Sequence, residues 1–118
     1  MNNKRRKQIK DAIKEIADLR NDIKNQNIES DDFDMLIDSI EMIKCDIEDI
    51  RYDEEDAFEI LPQSFQDSDR GEYMQECIDY LQSAYDELEN IPCDVNEINL
   101  SEVDKDLEAA TKCLIEIE

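Results

Sequence analysis

Of the 118 residues, 34 are Asp or Glu, four are Cys and none is His, so carboxylates and thiols are the chemistry to weigh first. Without histidine neither a Ser-His nor a Cys-His pair can form. The lone glycine, Gly71, lies in no phosphate-binding loop. Carboxylate pairs of the glycosidase or metal-hydrolase kind occur throughout, but at this density of Asp and Glu they arise by composition alone. The stretch Asp67-Ser68-Asp69-Arg70-Gly71 invites a calcium test. An EF-hand loop starting at Asp67 needs an oxygen ligand at 71, glycine at 72 and a bidentate Glu at 78. This chain has Gly71, Glu72 and Ile78 there, so the match fails. Cys45, Cys77, Cys93 and Cys113 are spaced by 32, 16 and 20 residues, which contains no Cys-x-x-Cys pair. Neither a zinc ribbon nor a thioredoxin-like motif fits. Cys77 and Cys113 fall on apolar helix faces and read as small core residues, Cys45 points outward and Cys93 sits in a loop. The expectation is no enzyme, no metal and no cofactor.

The constellation that remains is an acidic helix face. Opposite an isoleucine stripe in the second helix lie Asp38, Glu41, Glu48, Asp49, Glu55, Asp56 and Glu59, with Asp34, Asp46 and Asp53 at the margins. Lys44 and Arg51 are the only basic residues of that segment. Glu76, Asp79, Asp86, Glu87 and Glu89 extend the charge to the third helix. Carboxylates three, four and seven positions apart on one helix face stand about 5 to 10 Å apart. That is comparable with the spacing of phosphates along a nucleic-acid strand. A rigid surface of this kind can occupy a cationic groove built for a polyanion and gain the same ion release and steering. The plainer alternative is a solvated face that serves solubility.

Charge is unevenly distributed. Residues 1–30 hold 8 basic and 5 acidic side chains, while residues 31–118 hold 5 and 29, for a net charge of −21. The basic cluster Lys4-Arg5-Arg6-Lys7 can be read as a nucleic-acid-binding arm. It reads better as a set of cations that solvate a helix start or pair with carboxylates of the body, since no aromatic residue lies among them. The body, by contrast, carries self-repulsion that a merely soluble bundle does not need.

These side chains must be positioned by helices. Ile9, Ile16 and Ile23 share one heptad position, with Ala12 and Leu19 on the next seam position and Ile13 beside them, which predicts a first helix over 3–24. Asp11-Glu15 and Asp18-Asp22 flank it, where Lys10-Lys14 and Arg20-Lys24 are placed to offset them. Asn25-Gln26-Asn27 breaks the pattern. Ser30 is expected to cap a second helix over 31–61 that carries Phe33, Leu36, Ile37, Ile40, Ile43, Ile47 and Ile50 as one stripe. The heptad continued puts Glu54 at a seam position, so the phase weakens there before Ala57, Phe58 and Leu61 restore it and Pro62 stops the helix. A straight helix of that length is about 46 Å long, which calls for a bend, an elongated bundle or a dimer. Pro62–Asp67 reads as a loop. Asp69 with Glu72 reads as a capping box for a third helix over 70–91, bearing Met74, Cys77, Ile78, Leu81, Ala84, Tyr85, Leu88 and Ile91. After a Cys93–Asn99 loop, Ser101 is expected to cap a fourth helix over 102–117 with Val103, Leu107, Ala110, Leu114 and Ile117 inward. No segment alternates with period two. The fold class is therefore all-α: one domain over 1–118, an elongated antiparallel four-helix bundle with coiled-coil-like isoleucine seams.

Ile, Leu, Val and Phe together make up 29 residues, 16 of them Ile. Their helical spacing argues for order over the disorder that high net charge otherwise signals. No apolar run is long enough to span a membrane, and none follows the basic start as a signal peptide would require. A cytoplasmic setting with reduced thiols is the expectation.

The central segment also carries a resemblance. Ile50-Arg51-Tyr52-Asp53-Glu54-Glu55-Asp56-Ala57-Phe58, then Leu61-Pro62-Gln63-Ser64-Phe65-Gln66, then Ser68-Asp69-Arg70-Gly71-Glu72 resembles short acidic helical proteins encoded by phages and mobile elements. The resemblance covers about residues 45–91 and rests on the Leu-Pro and Arg-Gly-Glu punctuation. It implies a phage or mobile-element context and assigns no activity. In size and acidity the chain is similar to DNA-mimic anti-restriction and anti-CRISPR inhibitors. The expected function is thus a non-enzymatic inhibitor that fills the cationic DNA or RNA channel of a nuclease or defence complex in the host cytoplasm. Its partner is then a basic nucleic-acid-handling protein, with no direct contact to nucleic acid or membrane. The alternative is an assembly module that forms a homodimer through its isoleucine seams.

Overall fold

A computed structural model describes residues 1–117. Among them are five α-helices and no strand: α1 (Asn3–Lys24), α2 (Phe33–Glu59), α3 (Gln63–Gln66), α4 (Asp69–Glu89) and α5 (Leu100–Ile115). Single 3₁₀ turns at Ser30–Asp32 and Val95–Glu97 precede α2 and α5. Among the described residues no helix is long and apolar enough to cross a membrane.

The helix starts are set by short polar side chains, though not always the expected ones. Asn2 caps α1 by accepting from the Arg5 N–H at 2.8 Å. Ser30 does not cap the second helix. Ile28 packs against the core and leaves Glu29 extended, the conformation a cap requires; Glu29 and Asp32 then exchange side-chain and backbone bonds around the 3₁₀ turn. Nor does Asp69 cap α4. Ser68 does so, and Asp69 is the first helical residue, where its charge with that of Glu72 still meets the positive end of the dipole. Asn99, not Ser101, caps α5, accepting from the N–H groups of Ser101 and Glu102 at 3.0 and 3.3 Å. At the end of α1 the chain reverses through Gln26, the one non-glycine residue with positive φ (59°) among those described.

The loop expected over Pro62–Asp67 contains the single turn α3. Pro62 stops α2, and the Gln66 side-chain amide reaches back to donate to the carbonyls of Phe58, Glu59 and Leu61 at 3.0 to 3.4 Å. It thereby satisfies the carbonyls of Glu59 and Leu61 near the end of α2 and adds a bond to that of Phe58, which also accepts from the Leu61 N–H. The backbone of Phe65 and Gln66 crosses so close to Gly71 that a Cβ there would overlap both. Gly71, which weakens the helix by propensity, is what lets α3 seat against α4.

Packing follows the apolar stripes. α2 lies against α1 and α4, and α5 lies against α4 and α1. Ion pairs and hydrogen bonds join the start of one helix to the end of its neighbour in Arg5–Glu54, Arg20–Asp104 and the Tyr73 hydroxyl to the Ile117 carbonyl, and Lys44 ties the middle of α2 to Glu89 at the end of α4. Ile9 and Ile16 of α1 and Ile40, Ile43, Ile47 and Ile50 of α2 are buried together with Leu81, Leu88, Leu107 and Leu114. The buried stripe of α2 does not skip Glu54: its carboxylate is completely buried, with Arg5 Nε at 2.6 Å and the N-terminal ammonium at 3.5 Å. The radius of gyration is 15.8 Å, against about 13.5 Å for a compact domain of this length, and the extents are 53 × 22 × 19 Å. The 27 residues of α2, about 40 Å of helix, fit that long axis within one chain.

Candidate functional site

α2 and α4 are packed side by side, and their charged sides meet where Lys44 of α2 reaches Glu89 of α4. Asp38, Asp56 and Glu59 of α2 and Glu76, Asp79 and Asp86 of α4 are all exposed. A shallow groove lined by Glu55, Phe58 and Glu59 on one side and Gln75 and Ile78 on the other joins the two helices. Gln75 and Gln82 donate to Asp79 and Asp86 at 3.2 and 2.9 Å, each one turn along α4, and so fix two of these carboxylates in direction.

Three of the expected residues are not free. Glu41, Glu48 and Glu55 are seven residues apart and only half-exposed, and the two cations of α2 are intercalated among them. Lys44, buried at 6% exposure, bridges Glu41 and Glu89, both at 3.1 Å, and lies 5.5 Å from the centroid of the Tyr85 ring. Burial works against its charge, but hydrogen bonds to Glu89 and Glu41 outweigh it and raise the Lys44 pKa. Glu89 in turn is held below the usual carboxylate range by the Tyr85 hydroxyl and then by Lys44. Arg51 binds Glu55 at 2.7 Å, approaches Glu48 at 3.9 Å and stacks 4.5 Å from the Tyr52 ring centroid. Tyr52 donates to Glu48 at 3.0 Å. The acidic face is thus stiffened from within by its own two cations, and no basic side chain of α2 remains free.

Asp49 belongs elsewhere. It lines a depression between α1 and α2 with Gln8, Asp11, Glu15 and Asp46, on the other flank of α2 from α4. The same depression exposes what a helix-by-helix reading missed. Asp11, Glu15, Asp18 and Asp22 are not offset by lysines of their own helix: Lys10, Lys14 and Lys24 form no ion pair among the described residues, and Arg20 turns to Asp104 and Glu108 of α5. The signal was present in the spacing, since positions 11, 15, 18 and 22 recur at helical period.

Three of the four thiols are held in the neutral form. Cys77 is buried and Cys113 half-buried, and burial raises both pKa values. Cys93, exposed, donates to Glu41 Oε1 at 3.5 Å, and that hydrogen bond raises its pKa as well. A thiol held in its neutral form is a poor nucleophile and a poor ligand. Among the described residues no three Cys, Asp or Glu side chains are grouped so as to hold a metal ion. The surface is suited to contact through charge, with its carboxylates as acceptors for cationic donors.

No protein family, curated protein or solved structure matches the chain.

Proposed function

We propose that the protein is a non-enzymatic anti-defence inhibitor of phage type, in the manner of anti-CRISPR or anti-restriction proteins. In this reading it mimics nucleic acid and occupies the cationic DNA or RNA channel of a nuclease in the host cytoplasm. The observation that carries the reading is the pairing of α2 with α4, whose charged sides meet while Lys44 and Arg51 are locked onto Glu41, Glu89 and Glu55. A cationic groove meeting this surface finds exposed carboxylates on a rigid backbone. Such a surface loses less conformational entropy on docking than a flexible acidic tail would. The packing order and the end-to-end ion pairs support an elongated antiparallel four-helix bundle, closed by short α3, with coiled-coil-like isoleucine seams. Those isoleucines are buried within one chain, which favours this reading over a dimer formed through them.

The test is direct. A nuclease retained from bacterial extract by the immobilised protein should be released by excess duplex DNA and by raising salt, with a steep logarithmic dependence because counterions are released on binding. Neutralising Asp38, Asp56, Glu59, Asp79 and Asp86 together to Asn or Gln should abolish inhibition and leave the helical spectrum intact. Single substitutions should each have little effect. A partner that binds this protein and DNA simultaneously, with full activity, would sink the proposal.

A further inference from the structure

On the flank of α2 that faces α1, three depressions share lining residues and so form one furrow. Glu15 is common to the first and second, and Leu19 and Ser39 to the second and third. The furrow runs from Asp49 to Met35 along α2, about 21 Å or 14 helical residues. Its two ends differ in chemistry. Near Gln8 and Asp49 it is polar, and farther along the floor is apolar, made by Leu19, Ile28, Leu36 and Ile43. Met35 and Met42 stand beside that floor at 71% and 69% exposure, among the most exposed large apolar side chains described. Methionine in such a place offers a flexible, polarisable surface that adapts to an incoming side chain.

The rim carries one sign of charge. Asp11, Glu15, Asp18 and Asp22 line the α1 side, and Asp32, Asp46 and Asp49 line the α2 side; no Lys or Arg lines the furrow. None of these seven carboxylates forms an ion pair among the described residues. Burial raises the Glu15 pKa, and the charges of Asp46, Asp11 and Asp18 add to it, so repulsion acts across the furrow as well as along α1. The side-chain oxygen of Gln8, buried at the polar end, has no hydrogen-bond partner. Every feature lacks the same complement: cations above an apolar stripe, on a rod three to four turns long.

We propose that the α1–α2 furrow docks a cationic amphipathic helix of a partner protein, its apolar side chains seated between Met35 and Met42 and its Lys or Arg residues on the carboxylate rims. This is a second surface, distinct from the α2–α4 face, and its chemistry differs. A polyanion mimic needs only charge, whereas the furrow needs charge together with apolar anchors.

The probe is a synthetic 14-residue Leu-Lys amphipathic peptide titrated into the full chain labelled with ¹³C at the methionine methyls. The expected result is that the Met35 and Met42 methyl resonances shift, while that of Met74, buried in the core, stays in place. An Ala-Lys peptide of equal charge should bind at least tenfold more weakly. Met35→Gln combined with Met42→Gln should weaken the Leu-Lys peptide at least tenfold, and both positions are exposed enough for the fold to tolerate the change. Asp56→Asn, Glu59→Gln, Asp79→Asn and Asp86→Asn together should alter its affinity less than twofold. Equal binding of the two peptides would overturn the proposal, as would shifts that bypass both methionines. A dimer in sedimentation that Met35→Gln and Met42→Gln dissolve would likewise overturn it, since the occupant would then be a second copy.

Discussion

Glu54 is a carboxylate with no access to solvent, and Arg5 supplies its short bond. Removing Arg5 leaves the buried carboxylate with only the more distant N-terminal ammonium at 3.5 Å, and breaking such a buried pair costs about 3 to 5 kcal/mol. Arg5→Ala should therefore destabilise the protein by about 3 kcal/mol in urea unfolding, whereas Lys7→Ala, an exposed member of the same basic cluster, should change stability by less than about 0.5 kcal/mol. Equal effects would show that the pair does not anchor the start of α1 on α2. The cluster that a sequence presents as four equivalent cations thus contains one inward-facing residue with a structural task.

At the scale of the element, the α2–α3–α4 corner gives the clearest case. In an open helix Gly→Ala gains about 1 kcal/mol. At Gly71 the sign should reverse, because the new methyl meets the backbone of Phe65 and Gln66, which cannot move without unseating α3. Gly71→Ala should cost about 2 kcal/mol or more, by the overpacking that core insertions produce. Gln66→Ala should cost about 1 kcal/mol by freeing carbonyls at the end of α2. A Gly71→Ala protein as stable as the parent would remove this account of the Arg-Gly-Glu segment. Phase can be checked in the same way. Ile47→Asp should unfold the protein, since Ile47 is fully buried, while Asp38→Asn on the opposite side should leave it unchanged or slightly stabilised.

Across the whole molecule, a net charge of −21 is confined to a narrow rod. Compaction draws like charges together, so the melting temperature should rise as salt screens them. The response to acid should have two limbs. Glu15 and Asp106 have pKa values raised in the folded state, by burial first and neighbouring carboxylates second. For both groups the folded chain binds the proton more readily, so their contribution to stability should grow as pH falls from neutrality through those raised values. Glu89 is depressed by Tyr85 and Lys44, so its contribution is present at neutral pH and lost as pH falls through its folded pKa. Below about pH 4 the melting temperature should turn down as Glu89 is neutralised. A melting temperature that falls steadily from pH 7 would contradict the first limb.

Periodicity alone determined the helical class and most of the buried stripe, because Ile9, Ile16, Ile40, Ile43, Ile47 and Ile50 repeat at a spacing that only a helix presents on one side. It also determined that the carboxylates of α2 other than Glu54 would point away from that stripe, and Pro62 marked where α2 would end. What it could not determine is which helix each charge would meet. Asp49 adjoins Glu48 on α2, yet the placement of α1 draws it into a different depression. Arg20 pairs with α5 and not with its own helix, and Lys44 is buried by Tyr85 and Glu89 of α4. Glu54 reads as a break in the seam because the rule that seams are apolar holds only until a cation from another helix supplies the missing charge. Local spacing fixes which side of a helix a residue occupies, whereas its solvation and its electrostatic partners depend on the neighbouring helices, and those are decided by how the apolar stripes pack.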